Sequence, residues 1–155
     1  FKDRMTEINF SPYDFDELGE IVKLRLDWVN FKDGVIKEIS KTLRGNARSA
    51  VKRAMEIEMY CENNNSKDFG REDWLELCET LEILPFGLTP LERQVLTILK
   101  TRGACTLQTL SAVTGMERSA IQQEVELHLL REGFMRIDGK REITGQGHKV
   151  LDQIR

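Results

Sequence analysis

The chain has 155 residues, of which 40% are hydrophobic and 32% are charged, and its formal net charge is −3. This composition is typical of a globular protein and excludes a disordered chain. No run of about 18 apolar residues and no apolar leader occurs, so we expect neither a membrane span nor a signal peptide. The first residue, Phe1, is not Met. We therefore expect a piece cut or processed from a longer protein.

Charge is distributed unequally along the sequence. Residues 1–84 contain 13 basic and 18 acidic residues, whereas residues 85–155 contain 10 basic and 8 acidic residues. The net charges of the two parts are therefore −5 and +2. A mildly basic second part fits contact with a few phosphates, but the overall negative charge argues against tight, purely electrostatic binding of nucleic acid.

The three cysteines, Cys61, Cys78 and Cys105, are odd in number and none is spaced as Cys-x-x-Cys. This pattern predicts free thiols in a reducing cytoplasm and no metal site. His128 and His148 are isolated, and His128 is predicted to pack in the core. A phosphate-binding loop of the G-x-x-x-x-G-K-[ST] type is absent, so this chain by itself is not expected to hydrolyse a nucleotide.

Residues 11–84 are predicted to form a small bundle of four helices. Ser11-Pro12 has the pattern of a helix start, with a hydroxyl N-cap followed by proline, and this helix is predicted to end near Asn30. The next helices are predicted to begin after Asp33-Gly34, at about Ala47 and at about Arg71. The residues predicted to face inward are Phe15, Leu18, Val22, Leu26, Val29, Val35, Ile36, Ile39, Leu43, Ala47, Val51, Ala54, Ile57, Cys61, Trp74, Cys78 and Leu81.

Residues 106–144 follow the pattern of a winged helix-turn-helix. After a Pro- and Gly-containing connector at 84–90 and one further helix, a short helix capped by Thr106, a turn at Thr114-Gly115 and a helix over about 116–131 are predicted. Alternating residues at 134–137 and Asp138-Gly139 predict a β-hairpin with a two-residue turn. A last helix is predicted after Thr144-Gly145. The predicted fold class is mainly α: a small helical bundle followed by a winged helix with a hairpin wing.

The second helix of a helix-turn-helix presents its outer face to the major groove of DNA. Here that face is predicted to carry Arg118, Ser119, Gln122 and Gln123, and Arg and Gln can form paired hydrogen bonds with base edges. Three glutamates of the same helix, Glu117, Glu124 and Glu126, would repel phosphates. The alternative is a solvated face of a domain that binds protein.

The predicted wing carries Arg136, Lys140 and Arg141 within six residues. Cations at a hairpin tip can contact the DNA backbone, which positions a domain without reading sequence. Asp138 and Glu142 dilute this charge, and the alternative is a merely solvated hairpin.

A second basic group lies in the predicted third helix, at Arg48, Lys52 and Arg53. Arg48 falls in the first turn, where unpaired N–H groups favour a phosphate. The alternative, a solvated stripe on a surface helix, is the more common case.

The order of short motifs resembles the RuvB family of AAA+ motors that migrate Holliday junctions. The motifs are Phe1-Lys2-Asp3-Arg4-Met5, residues 10–22 (FSPYDFDELGEIV), 43–50 (LRGNARSA), Leu88-Thr89-Pro90-Leu91-Glu92-Arg93, 107–115, 129–134 (LLREGF) and 139–144 (GKREIT). They span the chain in order. Departures are Ala47 where the family has proline, Met5 where it has an aromatic residue, and Glu142 in the wing.

The resemblance implies a domain assignment. Residues 1–84 would be the helical lid of an AAA+ ATPase, with 1–5 the end of a large ATPase domain, and 85–155 would be a DNA-binding winged helix. Arg4 would be an arginine finger acting on the neighbouring subunit's nucleotide, and Arg48 the lid residue that senses phosphate. The DNA-contacting residues would be Arg118, Gln122, Gln123, Arg136, Lys140 and Arg141.

The resemblance also implies cofactors and partners. The intact protein would use ATP and Mg²⁺, with no tight nucleotide binding by this chain alone, and would form a hexameric ring in the cytoplasm. It would bind duplex or junction DNA and work with a RuvA-like junction-binding protein. Two alternatives stay open: a winged-helix DNA-binding regulator whose helical part binds protein, or a phage or loader-type AAA+ protein whose winged helix binds protein.

Overall fold

The computed structural model describes residues 10–154, and it is mostly helical, as the sequence predicts. It divides into two compact units, one ending at Gly87 and one beginning at Leu88. We describe the two units separately. No helix among residues 10–154 is long and apolar enough to span a membrane.

The first unit contains four α-helices and two short strands. The helices are α1 (Phe15–Arg25), α2 (Val35–Lys41), α3 (Ala47–Asn63) and α4 (Arg71–Leu81), and the strands are β1 (Asn30–Phe31) and β2 (Asp68–Phe69). The unit ends in a short 3-10 turn at Pro85–Gly87. The predicted starts of α2, α3 and α4 are confirmed.

The predicted start of the first helix is wrong. Asp14, not Ser11, is the N-cap: its carboxylate accepts from the Glu17 amide at 2.8 Å, and the Glu17 carboxylate accepts from the Asp14 amide at 2.9 Å. This reciprocal capping box satisfies two N–H groups that the helix itself leaves unpaired. Both Ser11 and Asp14 are N-cap residue types, and the helix begins after Asp14, where Glu17 completes the reciprocal pair.

The core of the first unit is formed by the inward faces of the four helices and by Phe69. Gly19 permits close packing of α1 on α2, because a side chain there would collide with Ile36 and Ser40. Two predicted core residues lie outside instead: Phe15 is 45% exposed and Leu81 is 41% exposed. Each lies in an end turn of its helix, where a neighbouring helix no longer covers the side chain.

Strands β1 and β2 were not predicted from the sequence. They pair in parallel, Asn30 with Asp68 and Phe31 with Phe69. Asn30 also donates from its side chain to the Asp68 carboxylate at 2.9 Å, and Lys32 forms an ion pair with Asp68 at 2.8 Å. The hydrogen bonds from the Lys32 ammonium and the Asn30 amide lower the pKa of Asp68. Two-residue strands carry too little periodicity to be recognised in a sequence.

The second unit contains α5 (Pro90–Arg102), α6 (Leu107–Thr114), a helical run over 118–131 that we call α7, the hairpin strands β3 (Met135–Asp138) and β4 (Lys140–Ile143), and α8 (Gly145–Asp152). Hydroxyl N-caps begin α5, α6 and α8, at Thr89, Thr106 and Thr144. This order of elements is a winged helix-turn-helix, as predicted.

Replacing Asp14 by Ala is expected to lower the free energy of unfolding of the first unit by about 1 kcal/mol, because the first turn of α1 loses its cap. Ser11→Ala is the matched control, since Ser11 is exposed and lies outside α1. Urea unfolding followed by circular dichroism measures both. Equal effects of the two substitutions would contradict the capping assignment.

Candidate nucleic-acid interface

The helix-turn-helix is formed by α6, a turn and α7. Gly115 ends α6 in the left-handed conformation, with φ of 73°, which glycine adopts without strain. Leu110 of α6 and Ile121, Val125 and Leu129 of α7 are fully buried. The predicted inward face of the second helix is confirmed, and its opposite face is therefore turned to solvent.

That outer face carries the residues predicted for base contact. Arg118, Ser119, Gln122 and Gln123 are all exposed. Arg118 and Gln122 are one helical turn apart, near the N-terminal end of α7, which is the end that contacts bases in helix-turn-helix proteins. Glu117 and Glu124 are exposed beside them. DNA contact by Arg118, Gln122 and Gln123 remains a prediction.

The middle of α7 is a π-helix over Ile121–Glu126, flanked by α-helical turns at Arg118–Ala120 and Leu127–Arg131. Within the π segment two consecutive residues, Val125 and Glu126, are both buried. A π segment is rare and is often found at functional sites. Here the segment carries the buried carboxylate of Glu126.

The wing has a tighter turn than the sequence predicts. Asp138 pairs with Lys140, so that Gly139 alone forms the tip, with φ of 68°. Ile137 pairs with Arg141, and Arg136 pairs with Glu142. Since cross-strand partners share a face and faces alternate along a strand, Ile137 and Arg141 lie on one face of the hairpin, and Arg136, Asp138, Lys140 and Glu142 lie on the other.

Arg141 points inward and forms an ion pair with Glu126. Its Nε donates to Oε1 at 2.6 Å and its Nη2 to Oε2 at 3.4 Å, and the two side chains are only 13% and 6% exposed. This pairing corrects the view of Glu126 as an outward charge that repels phosphates. It also weighs against the predicted backbone contact of Arg141, because its guanidinium is already bound inside the unit.

The outer face of the wing carries the remaining cations. Arg136 is exposed and forms an ion pair with Glu142 at 2.7 Å. Lys140 is exposed next to the tip and forms no ion pair within the described residues. Arg136 and Lys140 are therefore the two wing cations that a DNA backbone could reach.

The predicted nucleotide residues are in the first unit. Arg48 is exposed in the first turn of α3, where its backbone N–H donates to the Asn46 side chain at 2.8 Å. Arg53 is largely buried, 5.6 Å from the Trp74 ring centre and 2.8 Å from Glu56, and burial lowers its pKa. It is therefore a packing residue and not part of an open basic stripe. Arg4 lies outside the described residues.

His128 is 5% exposed, which confirms the predicted packed histidine. The three cysteines are free thiols, and burial raises the pKa of Cys78 to about 11. Among residues 10–154, no three side chains of the His, Cys, Asp or Glu type lie close enough together to hold a metal ion.

A helix-turn-helix followed by a two-stranded wing defines the winged-helix class of proteins, and the second unit has this arrangement. A family model of the RuvB C-terminal winged helix domain matches residues 85–152. Residues 85–152, which include nearly all of the second unit, are therefore similar to the C-terminal winged helix domain of RuvB proteins.

Individual relatives agree with this assignment. The Holliday junction branch migration complex subunit RuvB 2 of Synechococcus sp. (strain JA-3-3Ab) is 29% identical over 128 residues, which are 79% of this chain and 35% of that protein. The RuvB subunit of Tropheryma whipplei (strain TW08/27) is 28% identical over 146 residues, 90% of this chain and 42% of that protein.

A solved structure titled as the Thermotoga maritima RuvB Holliday junction branch migration motor superposes with a TM-score of 0.76. The two sequences are 26% identical, and the match covers 92% of this chain and 50% of that one. The chain thus spans between about a third and a half of the length of the relatives it matches.

The buried ion pair predicts a difference between the two wing arginines. Arg141→Met is expected to lower the free energy of unfolding of the second unit by about 3–5 kcal/mol, because Glu126 is left as an uncompensated buried charge. The matched control, Arg136→Met, breaks an exposed pair, and is expected to cost about 0–1 kcal/mol. Thermal and urea unfolding measure both, and a larger effect at Arg136 would contradict the assigned burial.

Proposed function

We propose that this chain is the C-terminal lid and DNA-binding part of a RuvB-like, ATP-dependent motor that migrates Holliday junctions in recombination and repair. The observation that carries the proposal is the match of residues 85–152 to the RuvB winged helix domain. The relatives named above are RuvB branch migration proteins, and their similarity over most of the chain supports the proposal.

On this proposal the second unit is the DNA-binding part. Arg118, Gln122 and Gln123 of α7 face the groove, and Arg136 and Lys140 of the wing contact phosphates. The net charge of +2 in residues 85–155 fits weak, salt-sensitive binding that a ring of subunits would reinforce by multiple contacts. We leave Arg141 out of this contact set because it is bound to Glu126.

The first unit is, in the same proposal, the helical lid of an AAA+ ATPase. Arg48 projects from the first turn of α3, where helix N–H groups and a cation together favour a phosphate. Arg4 would be the arginine finger, a group that stabilises charge on the transferred phosphoryl group. ATP and Mg²⁺ would be bound mainly by a large ATPase domain, in a hexameric ring in the cytoplasm, together with a RuvA-like partner.

A second candidate function is binding of protein through the winged helix, as in a loader-type AAA+ protein or a regulator. It is favoured by the exposure of Leu127 (61%) and Leu130 (40%) on α7 and of Ile137 (42%) on the wing. The pairing of Arg136 with Glu142 also lowers the charge that the wing offers to phosphates.

Salt titrations of the chain against a fluorescent four-way junction and a duplex of the same sequence distinguish the two functions. DNA binding is expected to weaken with salt, with a log–log slope of about −2 to −3 for two or three phosphates. Lys140→Ala is expected to reduce the magnitude of that slope by about 0.9, because one phosphate contact is lost.

Lys149→Ala is the matched control, because Lys149 is an exposed cation of the same unit that lies on α8 and outside the proposed contact set. An unchanged slope in Lys140→Ala would remove the wing from the interface. No binding to either DNA at low salt would reject the DNA-binding proposal and favour the protein-binding function.

A further inference from the structure

We propose that Arg141 and Glu126 are positioning residues: their buried ion pair sets the wing against the DNA-facing helix α7, so that Arg136 and Lys140 present their charges on one side. In this proposal Arg141 itself does not contact DNA. The effect on DNA affinity rests on the proposed function above, whereas the positioning of the wing does not.

Arg141 joins three segments of the second unit. Its side chain binds Glu126 in the π segment of α7 at 2.6 Å. Its backbone N–H donates to the Cys105 carbonyl at 2.8 Å, and its carbonyl accepts from the Cys105 amide at 2.9 Å. It is also the cross-strand partner of Ile137 in β3. One residue therefore connects the wing, the segment before α6 and the helix predicted to face DNA.

The wing needs such an anchor because it is short. Each of its strands has four residues, and an isolated two-stranded hairpin is at best marginally stable in water. The outer face of the hairpin adds little stability, because its Arg136–Glu142 ion pair is exposed. The tip half of the inner face offers only Ile137, which is 42% exposed, and Arg141. The ion pair is thus the buried side-chain contact that holds the tip half of the hairpin, beside the backbone bridge between Arg141 and Cys105.

The direction of the outer cations follows from the same anchor. Lys140 precedes Arg141 in β4, and neighbouring residues of a strand point to opposite faces. Holding the Arg141 side chain on Glu126 therefore directs Lys140 away from α7. The two N–H···O contacts, of 2.6 and 3.4 Å, restrict the direction of the guanidinium as well as its distance, which a single apolar contact does not.

Three variants test the proposal: Arg141→Met, Glu126→Leu and the double variant with both changes. Binding to the fluorescent duplex is measured at a temperature where circular dichroism shows every variant to be folded. Each single variant is expected to bind about tenfold more weakly, because a buried charge without its partner displaces the hairpin. The double variant is expected to recover to within about threefold of the original affinity, since an apolar pair of similar volume can replace a buried ion pair.

Two other outcomes would overturn the proposal. If Arg141 contacts phosphate directly, Glu126→Leu tightens binding, whereas Arg141→Met and the double variant both lose about 0.9 from the salt slope. If the pair has only a structural role, the single variants lower the melting temperature but leave DNA affinity unchanged. Glu126→Gln, which keeps the shape of the side chain and removes its charge, replaces Glu126→Leu if that variant does not fold.

Amide hydrogen exchange of the hairpin separates this proposal from the proposed function. Protection of the β3 and β4 amides, relative to those of α5, is expected to fall in each single variant and to return in the double variant. This readout needs no DNA. If the original chain binds no DNA and the exchange pattern is as expected, the proposed function fails and the positioning stands. Unchanged hairpin protection in the single variants would overturn the positioning.

Discussion

One buried ion pair, between Arg141 and Glu126, joins the wing of the second unit to α7. A charged pair inside a protein is costly to desolvate, and it is tolerated only when its hydrogen bonds are satisfied in good geometry. Arg141 and Glu126 form one short contact, from Nε to Oε1 at 2.6 Å, and one longer contact, from Nη2 to Oε2 at 3.4 Å, while the backbone of Arg141 is held separately by Cys105. Glu126 lies in the π segment of α7 and is buried, whereas Gln122 and Gln123 of the same segment are exposed.

This pairing changes the electrostatic character of the candidate interface. Counted from the sequence, the wing has three cations, and α7 together with its N-cap Glu117 has three glutamates. In the structure one cation and one glutamate neutralise each other in the interior, and a second cation is matched by Glu142 on the outer face. What remains for a polyanion is a sparse set of donors on two adjacent elements. A sparse set of donors matches the weak, salt-sensitive binding that we propose for this unit.

Much of the fold could be predicted from the sequence, because helix starts and apolar periodicity are local signals. Thr89, Thr106 and Thr144 cap helices where their patterns indicate, and α7 buries the predicted residues. The inward orientation of Arg141 could not be predicted, because it depends on the strand register that the hairpin turn sets. A two-residue turn at Asp138-Gly139 would pair Arg141 with Arg136 and put both outside. The observed one-residue tip shifts the register by one, which exchanges the faces of Lys140 and Arg141. The alternation of Met135 and Ile137 in the sequence indicates which face of β3 is turned inward. Only the strand register shows that Arg141 lies on that same face.

The parallel pairing of β1 with β2 has a consequence for the order in which the first unit folds. It joins Asn30 to Asp68, and the chain between them contains α2 and α3. Closing a loop of this size costs chain entropy before the two short strands can form any favourable contacts. Helices α2 and α3, which form through local bonds, have no such delay. The strand pair therefore closes after the helices have formed, and it fixes the start of α4 only once the rest of the bundle is in place.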